Sequence, residues 1–205
     1  MIQNIIFDLD GVLFDGCDFH ASIFLDVVQK VAPHLGLTRE YHDMHLNALS
    51  TRKKAEVLNL SKEVAELIYT LKQEATCTAL LDYVKRDQKV IDICKALRSN
   101  YRLFCVSNSI RVTIETCLTG MGVIEFFSGI ISNQDTTEPK PSPEPYLTLF
   151  KTYNLDPKEC LILEDSPFGI ESATKSGGHV LPVRNCDDVT LENIHLWLEQ
   201  YSKTS

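Results

Sequence analysis

At 205 residues, with 44% hydrophobic and 23% charged side chains, the chain has the make-up of an ordinary soluble globular protein, long enough for one sizeable core and a smaller attached unit. A net charge of −8 argues against a nucleic-acid backbone as main partner, while a small anion stays open because a local metal or lysine overrides a distant acidic field. No apolar stretch reaches membrane-spanning length, the seven cysteines form no C-x-x-C pair and read as reduced thiols, and only Met1 to Asn4 precede the first strand, so a cytoplasmic monomer or weak homodimer is expected.

The chain opens with Ile5-Ile6-Phe7-Asp8-Leu9-Asp10-Gly11-Val12. An unbroken apolar run of this kind predicts a strand buried on both faces of a parallel sheet, and such sheets place ligands at the carboxyl ends of their strands. Strand alternation would point Asp8 and Asp10 to the same side, and Gly11 would let the backbone turn away. Two crowded carboxylates repel unless a cation or a shared proton lies between them.

Residues 17–84 contain no convincing strand. Phe19, Ile23, Phe24, Val27, Val28 and Val31 recur at helical spacing, as do Val64, Leu67, Ile68 and Leu71, with Ser61 placed as a cap. From Lys89 onward helix and strand alternate: helix 90–97, strand 102–106, helix 112–118, strand 129–132, helix 143–152 capped by Ser142, strand 160–163, helix 169–175, strand 179–183 and a closing helix 187–201. That alternation predicts an α/β fold with a doubly wound parallel sheet, residues 1–15 and 86–205 forming the core and 16–85 an inserted helical cap domain.

Four polar clusters each follow an apolar strand: Asp8/Asp10, Ser107-Asn108, Lys140 and Glu164-Asp165. Singly, they read as a turn, a helix cap, a solvated charge and an acidic helix start. Jointly, in this order, they meet on one edge of a parallel sheet. The order resembles the haloacid dehalogenase-like hydrolases: Asp8-Leu9-Asp10-Gly11-Val12-Leu13 matches that family's nucleophile motif, Val106-Ser107-Asn108 its second motif, Lys140 its third and Leu163-Glu164-Asp165-Ser166 with Gly169-Ile170 its fourth. Asp15, His20 and the segment Lys140-Pro141-Ser142-Pro143-Glu144-Pro145-Tyr146 are similar to the β-phosphoglucomutase-like branch.

The resemblance implies Asp8 as nucleophile forming an aspartyl phosphate, Asp10 as general acid and base, and Ser107, Asn108 and Lys140 around the phosphoryl oxygens. It implies Mg2+ held by Asp8, the Asp10 backbone carbonyl and Asp165, with Glu164 supporting that shell or orienting Lys140. In the cap, His20 and Arg52 are the substrate candidates, although a histidine or arginine on a helix face is commonly structural or solvated. The expected function is a Mg2+-dependent phosphatase acting on a small phosphorylated metabolite, with no nucleic acid and no membrane as partner. A sugar phosphomutase is the alternative, placed behind because Ser109 is followed by Ile110 where a basic residue would hold a second phosphate. Phosphonate hydrolysis through Lys53 or Lys54 and dehalogenation rank below it. A non-catalytic phosphate-binding scaffold is the reading from another class, disfavoured because binding alone needs no acid/base carboxylate.

Overall fold

A computed structural model describes residues 1–47 and 49–204, and the chain divides into two compact units, Gly16–Tyr83 and Met1–Asp15 with Val84–Ser205. Among the described residues no helix is long and apolar enough to cross a membrane.

The first unit is helical: α1 (Cys17–Val31), α2 (Arg39–His45), α3 (Thr51–Val57) and α4 (Lys62–Tyr83), with a 3-10 turn at Pro33–Leu35. Its core gathers Phe24, Val27, Val28, Leu46 and Ile68, with Val64 and Leu71 packed against them. Ser61 caps α4 as its sequence suggests, its Oγ accepting from the Val64 N–H at 3.3 Å. Leu67, expected on the same face, is instead 49% exposed. Val64, Ile68 and Leu71 follow the i, i+4, i+7 stripe, and that stripe is too narrow here to include the flanking position. Buried His42 sets Nδ1 3.2 Å from Asp43 Oδ1 and Nε2 2.8 Å from Lys54 Nζ; burial, then the Lys54 charge, hold its pKa below the usual histidine value.

The second unit is a parallel five-stranded sheet in the order β3-β2-β1-β4-β5, built from β1 (Asn4–Phe7), β2 (Arg102–Val106), β3 (Phe127–Ile131), β4 (Cys160–Glu164) and β5 (His179–Pro182). The helices are α5 (Gln88–Arg98), α6 (Arg111–Met121), α7 (Glu144–Tyr153), α8 (Pro167–Ser176) and α9 (Leu191–Thr204). Ile6, Phe104, Ile131 and Ile162 pack on one face with Tyr146, Leu149 and Phe150 of α7 and Ala173 of α8. Alternation sends Ile5, Phe7, Leu103 and Cys105 to the other face, where α5 and α6 lie against β2 and β3. Double coverage explains why β1 is wholly buried and, after Asn4, apolar. The doubly wound fold class read from the sequence is the one observed.

The strand order reverses between β1 and β4, and in such sheets the crevice outside the strand ends at the reversal is where ligands bind. Asp8 and Glu164-Asp165 stand at the ends of those two strands.

Two further local expectations differ. Ser142 does not cap α7: Pro143 is the cap residue, pre-set by its ring, while Ser142 N donates to Pro139 O and its Oγ accepts from Glu144 N. The closing helix begins at Leu191 rather than 187, because Asn185 Oδ1 accepts from Asp187 N and Asp188 Oδ2 from Arg184 N, bending the chain into a 3-10 turn at Cys186–Asp188.

Candidate active site

β1 closes at Phe7, so Asp8 and Asp10 both lie beyond the strand and alternation is not what brings them together. A knot of backbone hydrogen bonds does. Leu9 O accepts from the N–H groups of Val12, Leu13 and Phe14, and Gly11 N donates back to Phe14 O at 2.8 Å. Gly11 takes φ +82°, a left-handed conformation that strains other residues. It also serves as a shelf, since a Cβ built there would stand 2.1 Å from Asp165 Oδ2. The turn was legible in the sequence; the close approach of the fourth motif was not.

Lys140 comes from the long connection after β3, yet its ammonium sits among the strand ends. Its Nζ donates to Asp8 Oδ1 at 2.9 Å, to Val106 O at 2.8 Å and to Glu164 Oε1 at 2.5 Å. The Tyr146 hydroxyl, from α7, donates to the same Glu164 oxygen. Glu164 Oε1 is thus shared by Lys140 and Tyr146, and its carboxylate lies over Gly169, where a Cβ would fall 2.0 Å from Oε2. Burial works against the Lys140 charge, but Asp8 and Glu164 outweigh it and hold its pKa above the ordinary lysine value.

Charge balance at this spot is poor: Lys140 brings one positive charge against Asp8, Asp10, Glu164 and Asp165. Burial pushes the Asp8 pKa up, Lys140 opposes the shift and Asp10 adds to it. Burial and then Asp8 raise Glu164 to about 8 and Asp165 to about 7. Carboxyls crowded into a buried site with so little compensation suit a cation. Asp8, Glu164 and Asp165 each offer an oxygen, all within 4.8 Å of one another, and this all-oxygen set fits a hard divalent ion.

After β2, Ser107 N donates to Ile131 O at 3.0 Å, and Ser107 Oγ accepts from Ser109 N at 3.0 Å. Asn108 faces Lys140: its Oδ1 accepts from Lys140 N at 3.0 Å and its Nδ2 donates to Lys140 O at 3.5 Å. Its side chain thus braces the Lys140 backbone. Ser109 Oγ donates to Asp10 Oδ2 at 3.2 Å, a contact that sequence reasoning did not single out. A cation does follow that serine, at Arg111 rather than Ile110, but its guanidinium donates to Asp135 Oδ2 at 2.7 Å and lies 3.8 Å from Glu115. Burial would raise the Asp135 pKa, yet hydrogen bonds from Ser132 and Arg111 outweigh that and lower it.

His20 and Arg52 belong to the helical unit. The His20 ring packs edge-on to Phe19 at 5.2 Å. Arg52 NH2 lies 3.2 Å from Glu66 Oε2, and its guanidinium stacks over Tyr69 at 4.3 Å, while its side chain stays exposed.

A model of the haloacid dehalogenase-like hydrolases matches residues 5–183. The chain belongs to that family. Among full-length relatives, this haloacid dehalogenase-like hydrolase is 26% identical to a fructose-1-phosphate phosphatase of Escherichia coli, over 88% of this chain and 96% of that one. It is 25% identical to a β-phosphoglucomutase of Bacillus subtilis, over 98% and 97%. In fold it is similar to the crystal structure of a β-phosphoglucomutase from Clostridium difficile, with a TM-score of 0.80, 21% identity, and 98% and 99% of the two chains covered.

Proposed function

We propose that this hydrolase is a Mg2+-dependent phosphatase that cleaves a small phosphomonoester, a sugar phosphate or similar metabolite, through an aspartyl-phosphate intermediate. The observation that carries the reading is the Lys140 ammonium held between Asp8 and Glu164 at the reversal of the sheet, with Asp165 beside them. Metal-dependent phosphoryl transfer needs an oxygen nucleophile, a fixed cation for the phosphoryl oxygens and a carboxylate cage, and these residues supply all three.

In the first half-reaction Asp8 attacks phosphorus, forming an Oδ–P bond as the ester P–O bond breaks. Asp10 gives its proton to the departing alkoxide. In the second half, Asp10 takes a proton from a water that attacks phosphorus, and the cleaved P–O bond returns Asp8 as a carboxylate with inorganic phosphate released. The Ser107 hydroxyl holds a nonbridging oxygen throughout, while the Lys140 ammonium, its three N–H groups directed to Asp8, Val106 O and Glu164, acts through its charge, offsetting that of the phosphoryl oxygens and letting an anionic Asp8 meet an anionic substrate. Mg2+ held by Asp8, the Asp10 backbone carbonyl and Asp165 would supply the remaining neutralisation of phosphoryl charge. The helical unit would act as the cap, with His20 and Arg52 as its residues to test.

The fructose-1-phosphate phosphatase likeness supports hydrolysis of a sugar phosphate. The full-length likeness to β-phosphoglucomutase favours a second reading, transfer back to sugar. Against that stands Arg111, whose guanidinium is committed to Asp135 and Glu115 rather than offered to a second phosphate. Phosphate release from a panel of sugar phosphates, with and without EDTA, tests the proposal. Mg2+-dependent release supports it; conversion of β-glucose 1-phosphate to glucose 6-phosphate faster than phosphate appears would establish the mutase, and no turnover of any phosphomonoester would remove both.

A further inference from the structure

Ser109 is fixed at three points. Its N–H donates to Ser107 Oγ at 3.0 Å, its carbonyl accepts from Asn133 N at 3.1 Å, and its hydroxyl donates to Asp10 Oδ2 at 3.2 Å. The last distance is long for a hydroxyl donor, as such bonds often are before substrate draws a site together. Behind Ser109 stands a brace made by the loop after β3. Gln134 Oε1 accepts from Arg111 N at 2.9 Å at the start of α6, a helix whose own cap residue, Ile110, has no side chain able to do so. Asp135 Oδ2 accepts from Ser132 N, Ser132 Oγ and Arg111 NH2, each at 2.7 Å. Two loops from neighbouring strands are thereby tied into one body, and the side chain that body presents to Asp10 is the Ser109 hydroxyl.

We propose that Ser109 is the positioning residue of Asp10, an inference that rests on the phosphatase reading for its catalytic meaning. A carboxyl on a short side chain rotates about χ2, a soft torsion, and a general acid must hold its proton toward one atom. The bond from Ser109 occupies Oδ2 as an acceptor and fixes the carboxyl plane. A proton carried by Asp10 is then on Oδ1, the oxygen that serves the leaving group. Ser109 does not touch the reacting atoms and acts through Asp10.

The readout is leaving-group dependence. Protonation by Asp10 matters for an alkoxide leaving group and little for p-nitrophenolate. Losing one hydrogen bond to a carboxylate of this kind corresponds to about a 10- to 100-fold loss where that carboxylate must act. Ser109→Ala in the full chain should therefore lose roughly that factor in kcat on a sugar or glycerol phosphate, lose far less on p-nitrophenyl phosphate, and be largely rescued by Ser109→Thr. The second arm needs no turnover. In protein labelled with 13C at the aspartate carboxyls, the Asp10 resonance, assigned by its loss in Asp10→Asn, should move in Ser109→Ala and return in Ser109→Thr. Equal losses on both substrates, a rise in KM alone, or an unmoved Asp10 resonance would each overturn the assignment. A wild-type protein that hydrolyses nothing would remove the phosphatase reading, while the resonance would still decide whether Ser109 holds Asp10.

Discussion

Replacing Lys140 with methionine keeps most of the reach of the side chain and deletes its ammonium. Three acceptors lose their donor: Asp8, the Val106 carbonyl and Glu164, bound at 2.9, 2.8 and 2.5 Å in the wild type. The Lys140 and Glu164 side chains are 4% and 0% exposed, so water does little to fill in. Removing one partner from a buried ion pair costs about 3–5 kcal/mol, because the charge left behind has lost its counter-ion but remains desolvated. For a chain of this size each kcal/mol moves the midpoint by about 2–4 °C, so a fall in Tm of roughly 6–20 °C is expected. The loss should depend on pH. Without Lys140 the pKa values of Asp8 and Glu164 rise further, the folded state then binds protons that the unfolded chain releases, and stability increases as pH falls. The deficit of Lys140→Met should thus be larger at pH 8.5 than at pH 5.5. Circular-dichroism melts of metal-free protein measure it, and adding Asp8→Asn and Glu164→Gln should return more than half. A deficit under about 1 kcal/mol at pH 8.5, or no recovery in the triple variant, would refute the view that this lysine stabilises an otherwise unpaired carboxylate pair.

Asp8→Asn should keep the fold and lose several powers of ten in turnover, and phosphate trapped in acid on a peptide lacking Asp8 would contradict its role. EDTA should stop hydrolysis and Mg2+ restore it. Because Asp165 is raised to about 7 by burial and by Asp8, protons compete with the metal below that pH, so calorimetric Mg2+ affinity should rise on going from pH 6 to pH 8; a flat profile would count against Asp165 as a ligand. Gly11→Ala meets both a φ of +82° and the Asp165 carboxylate, so it should weaken Mg2+ binding as well as lower Tm, and unaltered metal affinity would show that the shelf does not matter. Arg52→Ala should raise KM more than it lowers kcat; an unchanged KM would leave Arg52 a structural partner of Glu66 and Tyr69.

What could be read from sequence follows what periodicity and strand-end position encode. The continuous apolar runs at β1, β2 and β4 announce strands covered on both faces, and polar residues directly after them can only sit on the carboxyl edge. Side-chain direction past a strand end carries no such periodicity. The turn that groups Asp8 with Asp10 depends on Leu9 O collecting three N–H groups, and Asn108 turning to Lys140 depends on a loop folding back across 32 residues. Arg111 shows the same limit: its charge is plain in the sequence, but Asp135, which commits it, lies 24 residues on. Ser109 left no trace beyond being a hydroxyl near a motif. Leu67 and the start of α9 differ for local reasons, one a stripe narrower than its pattern and the other short polar side chains bonding their own backbone.

The central place of β1 has a consequence during synthesis. Ile5 pairs with Leu103 on one side and Leu161 on the other, so β1, ahead of the other four strands in the chain, gains its second neighbour only once β4 has been made. At about 5–20 residues per second a ribosome needs roughly 5–20 s to bring Leu103 out after Ile5 and roughly 8–30 s to bring out Leu161, so one edge of this apolar strand waits through the whole of the longer interval. The helical unit, whose contacts close within residues 16–83, can fold in the interval. The nascent chain therefore keeps one edge of a buried apolar strand open through most of its synthesis, and overexpressed protein truncated before Cys160 should depend on chaperones or aggregate where the full chain does not.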